Sequence, residues 1–227
     1  GSYYRRDATV GPPPVAVDAF GPAPPDEVGD HYLLAGELVS YKRPDLAIAA
    51  FTRSGRKLRV IGEGDQRAAL QAMAGPNITF LGKLSLDRLA HEFARCRALV
   101  FPGEEDFGII PVEVMAAGRP VIAYGRGGVL DSVVPGTTGV FFTEQSSDGL
   151  AAAVAAFEDG LLPRLDSAAI RAHAQGFAPQ VFAAAMKAAI ADAFIATGKG
   201  VPLQPGPSAT TGSGPADAQP AGGAIPS

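Results

Sequence analysis

The residues best suited to chemistry are two glutamates eight positions apart, in the stretch Glu105-Asp106-Phe107-Gly108-Ile109-Ile110-Pro111-Val112-Glu113. The pattern predicts Glu105 in a loop and Glu113 about two turns into the following helix, on roughly the same side of it. Carboxylates so placed can accept hydrogen bonds from two separate sets of hydroxyls. The amides of Phe107, Gly108 and Ile109 would then lie at the helix N-terminus, where free N–H groups and the dipole favour an anion. Two glutamates at this distance are common by chance. Within Phe-Gly-x-x-Pro-x-Glu-x-x-Ala-x-Gly, behind a strand, they are specific. A hydrolytic pair of opposed carboxylates is poorly supported, because Glu104, Glu105 and Asp106 cluster only as sequence neighbours.

Four other joints carry glycine. They are Gly36-Glu37-Leu38-Val39-Ser40-Tyr41-Lys42-Arg43, Gly62-Glu63-Gly64-Asp65, Gly82-Lys83 and Gly125-Arg126-Gly127-Gly128. Glycines at Gly36, Gly62, Gly64, Gly127 and Gly128 would let backbone approach a ligand, and helices behind them would aim amides at an anion. With Lys42 and Arg43 opening the first helix, the set describes a phosphate-bearing ligand. Any one joint could be a plain helix cap or turn; five along one edge are harder to explain that way. A dinucleotide fingerprint fails, since Gly62-Glu63-Gly64 lacks a third glycine at the required spacing, and no Walker-type loop is present.

These joints must be positioned by the elements between them. Short apolar runs at 32–35, 58–61, 78–81, 98–101, 120–124 and 139–142 are mostly continuous, as strands buried on both faces should be. Stretches of helical spacing lie between them, at about 43–54, 65–74, 85–97, 109–118, 129–134 and 147–159. Repeated strand-helix-strand units imply right-handed crossovers and a six-stranded parallel sheet with helices on both faces, in residues 31–160. Ligands of such sheets bind outside the carboxyl ends of the strands.

Two helices are expected within 161–200, at 166–175 and 179–198. Residues 1–30, with Pro12-Pro13-Pro14 and Pro22-Ala23-Pro24-Pro25, read as a connector lying on something. Residues 201–227, rich in Gly and Pro and without an aromatic, read as a tail.

Composition narrows the partners. A hydrophobic content of 47% and a charged content of 19% suit a globular protein. The net charge of −4 offers no footprint for nucleic acid. No apolar run is long enough to span a bilayer, no N-terminal leader is expected, and Gly1-Ser2 reads as a cloning scar. Cys96, the single cysteine, is expected as a packing thiol in a reducing cytoplasm, and His31, His91 and His173 are expected to be structural or solvent-facing. No metal site is expected.

On these motifs the sequence resembles the retaining glycosyltransferases of family 4, whose GT-B fold sets two Rossmann-like domains face to face. The resemblance runs from about Tyr3 to Phe194 and covers only that family's C-terminal, donor-binding half. Residues 4–15 look like its inter-domain linker. The resemblance implies that Lys42 contacts the donor diphosphate and that Glu105 lies near the sugar hydroxyls, with Phe107, Gly108 and Ile109 supplying loop amides. It also implies that Glu113 binds the ribose and that Gly127 and Gly128 flank the phosphates. The segments around Lys42 and Glu105 look most like bacterial mannosyltransferases of exopolysaccharide and O-antigen assembly, which implies GDP-mannose as donor and no metal. A missing N-terminal half would bind the glycan or lipid-linked acceptor. The implied place is the cytoplasm, peripheral to the membrane's inner face at most.

Two positions depart from the family pattern. Glu37 stands where many members carry a second diphosphate-binding arginine, so either it repels the diphosphate or it pairs with Arg43 or Lys83. Asp131 stands where the glycine loop usually reaches a glutamate. Two other readings stay open: a stand-alone nucleotide-sugar-binding module without transferase activity, and an epimerase-type enzyme sharing the fold.

Overall fold

The computed structural model describes residues 11–196. The six apolar runs form β1 (Tyr32–Ala35), β2 (Leu58–Ile61), β3 (Ile78–Gly82), β4 (Leu99–Phe101), β5 (Val121–Tyr124) and β6 (Gly139–Phe142). All pair in parallel, in the order β3-β2-β1-β4-β5-β6. β5 starts one residue later than expected; Pro120, which has no amide to donate, serves only as acceptor for the Leu99 amide.

The connecting helices are α1 (Pro44–Ser54), α2 (Arg67–Met73), α3 (Leu86–Arg95), α4 (Ile109–Ala116), α5 (Val129–Ser132) and α6 (Ser147–Ala156), followed by α7 (Ser167–Ala174) and α8 (Pro179–Ala196). The α6 helix stops short of the expected residue 159. It widens into a π-turn at Phe157–Leu161, which buries Phe157 and carries Glu158 toward the sheet.

Side chains alternate across each strand and build one core layer on each face. Leu33, Leu99, Phe101, Val121 and Ala123 pack with α3, α4 and α7 on one side. Tyr32, Leu34, Leu58, Val60, Val100 and Ile122 pack with α1 and α6 on the other. The segment before His31 does lie on something, and it is more than a connector. Val15, Val17 and Phe20 are buried in the first layer, Phe20 stacks on Phe93 at 5.4 Å, and the Val15 amide donates to Phe177 O at 2.9 Å. The packed body therefore starts at Val15 among the described residues, rather than at His31.

The chain divides after Ala189, so α7 and the first turns of α8 belong with the sheet. Residues 1–10 and the expected tail lie outside the described residues. Among the described residues no single helix is long and apolar enough to cross a membrane. Cys96 is fully buried, and burial pushes its thiol up to about 12. Packing is its role.

Candidate functional site

The strand order decides where the chemistry collects. The sheet grows one way from β1 and the other way from β4, and these two strands are neighbours. A crevice opens at the carboxyl ends of such a pair, where the crossovers diverge. The loop leaving β1 carries Gly36 to Arg43, and the loop leaving β4 carries Pro102 to Gly108. Residues more than sixty positions apart thus face one cleft, lined by Gly36, Glu37, Lys42, Gly103 and Glu105.

Lys42 ends a 3-10 turn (Ser40–Lys42), and Arg43 behind it takes a left-handed conformation, φ 53°, before Pro44 starts α1. Lys42 Nζ lies 3.1 Å from Glu105 Oε1, and both side chains are only about a fifth exposed, at 21% and 23%. Gly36 lies beside it, since a Cβ there would stand 3.8 Å from Nζ. The Tyr41 ring centroid is 5.8 Å away. With this pair closed, the cleft keeps a free volume of about 20 Å³, room for a water.

The glycines act on backbone. A Cβ on Gly62 would meet Gly36 O at 1.8 Å, and one on Gly128 would meet Asp106 O at 2.0 Å. Gly64 packs likewise on Leu38, Gly127 on the Glu105 carbonyl, and Gly103 on the Lys42 backbone. The Gly128 amide donates to Glu105 O at 2.8 Å, and the Leu38 amide donates to Glu63 O at 2.8 Å. The second joint therefore braces the lysine loop and the fifth braces the glutamate loop. Their room is taken by neighbouring chain, where the sequence suggested room for a ligand's approach.

Two other expectations change. Arg43 spends its guanidinium on Asp45, with Nε and Nη2 at 3.0 and 2.9 Å, instead of facing the cleft. Glu113 lies about one turn into α4, not two: the helix starts at Ile109, as expected, behind Gly108, φ 82°, and the four residues from Ile109 make one turn. It is half-buried, and among the described residues it has no side-chain partner. Burial pushes its carboxyl above the ordinary value, with no cation beside it to compensate. It lines no part of the Lys42 cleft.

Phe107 turns its ring toward Phe177, centroids 5.8 Å apart, and so anchors the loop whose amides face the helix start. Glu37 is exposed and, among the described residues, makes no ion pair with Arg43 or Lys83. Asp131 is exposed on α5. Two residues that sequence reading does not single out complete the site. Gly103 lets the β4 loop touch Lys42, and Gln145 Nε2 holds Pro102 O at 3.0 Å. The glycine directly behind a strand-ending proline was a signal for the first; nothing local marks the second. Among the described residues no three His, Cys, Asp or Glu side chains gather as metal ligands would.

A six-stranded parallel sheet in the order β3-β2-β1-β4-β5-β6, with helices on both faces, defines a Rossmann-like α/β domain. The family Glycosyl transferases group 1 matches residues 20–171, and the chain belongs to it. The D-inositol 3-phosphate glycosyltransferase of Streptomyces scabiei is 30% identical over 174 residues, 67% of this chain and 39% of that protein. The GDP-mannose-dependent alpha-mannosyltransferase of Mycolicibacterium smegmatis is 36% identical over 106 residues, 46% of this chain and 28% of that protein. Among solved structures, the lipopolysaccharide outer core galactosyltransferase WaaB in its apo form matches with a TM-score of 0.69 at 20% identity, over 80% of this chain and 54% of its own. The chain spans about a third of the length of the curated relatives it matches.

Proposed function

We propose that this chain is the donor-binding half of a retaining glycosyltransferase, taking a nucleotide sugar, GDP-mannose first, for transfer to a glycan or lipid-linked acceptor. The observation that carries the reading is the meeting of Lys42 with Glu105 where β1 and β4 diverge. GDP-mannose is supported by the likeness of the Lys42 and Glu105 segments to mannosyltransferases and by the Mycolicibacterium relative's named donor. The acceptor is assigned to the part of the relatives that this chain does not span, and the place of action to the cytoplasm, at most against the membrane's inner face.

In this reading the sugar leaves its diphosphate as an oxocarbenium-like species, and the acceptor hydroxyl attacks from the face the diphosphate departs. A diphosphate oxygen takes the hydroxyl proton. Catalysis is then chiefly positioning and stabilisation of the departing charge. Lys42 and the amides of Phe107, Gly108 and Ile109 meet that charge, so no step is assigned to a metal. Glu105 orients sugar hydroxyls and Glu113 accepts from the ribose. Gly36, Gly62, Gly64, Gly127 and Gly128 hold the loops at the diphosphate.

Calorimetric titration with GDP, UDP, GDP-mannose and UDP-glucose tests it. Binding of at least one nucleotide sugar, unchanged by a chelator and without transfer by this chain alone, is expected. No binding of any of the four, or robust transfer to a lipid-linked acceptor without added protein, contradicts the reading.

A further inference from the structure

We propose that the Lys42–Glu105 ion pair is a product-release latch: Glu105 competes with the nucleoside diphosphate for Lys42 and gives way more readily to a donor that still carries its sugar. This rests on the reading of the cleft as a nucleotide-sugar site.

The geometry supplies the competition. Among the described residues Lys42 is the only cation lining the cleft, and Glu105 already holds it at 3.1 Å. Both backbones are fixed, Lys42 by its contact with Gly103 and Glu105 by the Gly128 amide. Opening the cleft therefore falls to side-chain rotation, which is fast and small. The cleft around the closed pair holds about 20 Å³ of free volume and opens to solvent. An entering diphosphate has to take Lys42 away from Glu105 and leave a carboxylate, about a fifth exposed, without its partner.

A complete nucleotide sugar compensates, because its hydroxyls donate to the released carboxylate. A bare nucleoside diphosphate offers Glu105 no such donor and adds negative charge beside it. After transfer the sugar is gone, so re-formation of the pair favours expulsion of the nucleotide. Glu105 would thus set the preference of the site for donor over product. A ligand shifts such an equilibrium only by its differential affinity for the open and closed arrangements.

The test compares wild type, Glu105→Gln and Lys42→Ala by titration with GDP, UDP and the matching nucleotide sugars, with release rates by stopped flow. Glu105→Gln should bind the bare nucleotide about three- to fivefold tighter, the size of effect a single partly exposed ion pair can exert. It should also release the nucleotide more slowly and lose preference for the sugar-bearing form. Glu105→Asp, which keeps the charge and shortens the arm, should shift in the same direction by less, and serves if the glutamine variant folds poorly. Bare-nucleotide affinity unchanged or weakened in both variants overturns the latch; a loss of affinity in Lys42→Ala would then still leave the site reading standing. If wild type binds no nucleotide, both fall together.

Discussion

At the amino end of the sheet, Glu158 accepts a hydrogen bond from Tyr32 Oη at 2.7 Å, two from Arg56 at 2.9 and 2.6 Å, and one from Arg97 at 3.2 Å. At the carboxyl end, Glu105 has Lys42 alone, while Glu37 and Glu113 have no side-chain partner among the described residues. The two ends also titrate in opposite senses. Burial works against ionised Glu158, but the Arg56 and Tyr32 hydrogen bonds prevail and hold its carboxyl below the ordinary value. At Glu113 burial acts unopposed and raises it. A carboxylate saturated by protein donors is spent on holding strands and crossovers together. One that is buried and unpaired lowers stability unless something outside the chain completes it. On the proposed function, the difference separates the carboxylates that hold the fold from those left for a ligand.

The largest effect should come from breaking the saturated end. Glu158→Ala leaves Arg56 and Arg97 without their anion and the buried Tyr32 hydroxyl without its acceptor. It should cost about 2–4 kcal/mol in urea unfolding and leave nucleotide affinity of the folded protein unchanged. The stabilisation is present above the ordinary carboxyl value of 4.5 and is lost as pH falls through Glu158's lower one. A variant as stable as wild type, or one that loses ligand binding while folded, would erase the contrast between the two ends.

The second test addresses the unsaturated end. Glu113→Ala should weaken bare nucleotide and nucleotide sugar alike, by about 1–3 kcal/mol for a lost charge-assisted hydrogen bond. Glu113→Gln, with no ligand present, should melt higher than wild type at pH 7. That gain follows from sign: a raised carboxyl destabilises the ionised folded form, so the penalty is present at neutral pH. It fades as pH falls through Glu113's raised range and is gone near the ordinary 4.5. A lower melting point at pH 7 would mean that Glu113 is a structural carboxylate like Glu158.

How much of this the sequence shows depends on the range of the interaction that matters. Runs such as 32–35 and 58–61 are legible because a parallel strand covered on both faces must be apolar throughout, and both strands fall at those residues. The start of α4 at Ile109 is legible from Phe107-Gly108, and Gly108 is indeed left-handed, φ 82°; only the depth of Glu113 differs, since four residues from Ile109 make one turn. Val15, Val17 and Phe20 are hidden among prolines, whose extended backbone says nothing of what it lies against. The Lys42–Glu105 contact requires knowing that β4 sits beside β1, and alternation along the chain leaves strand order undetermined. The Glu158 network joins residues 126 apart, with no local pattern to announce it.

The smallest expected effect belongs to Glu37, and the structure narrows what it can be. One sequence-based possibility had Glu37 orienting Arg43 or Lys83 as a replacement phosphate ligand. Arg43 is committed to Asp45 through two hydrogen bonds, and Glu37 pairs with neither cation among the described residues. What remains is an exposed carboxylate lining the same cleft as Lys42. On the proposed function it would oppose an incoming diphosphate across screened solvent. Glu37→Arg should therefore tighten GDP or UDP binding by about 1 kcal/mol at low salt, with the gain shrinking as ionic strength rises. The comparison is of dissociation constants at two salt concentrations, wild type against variant. Weaker binding in Glu37→Arg would reinstate the orienting role, and an identical constant at both salts would place Glu37 outside the reach of the ligand. A salt-dependent gain would show that the unsaturated end extends to a third carboxylate, one that limits donor affinity through charge alone.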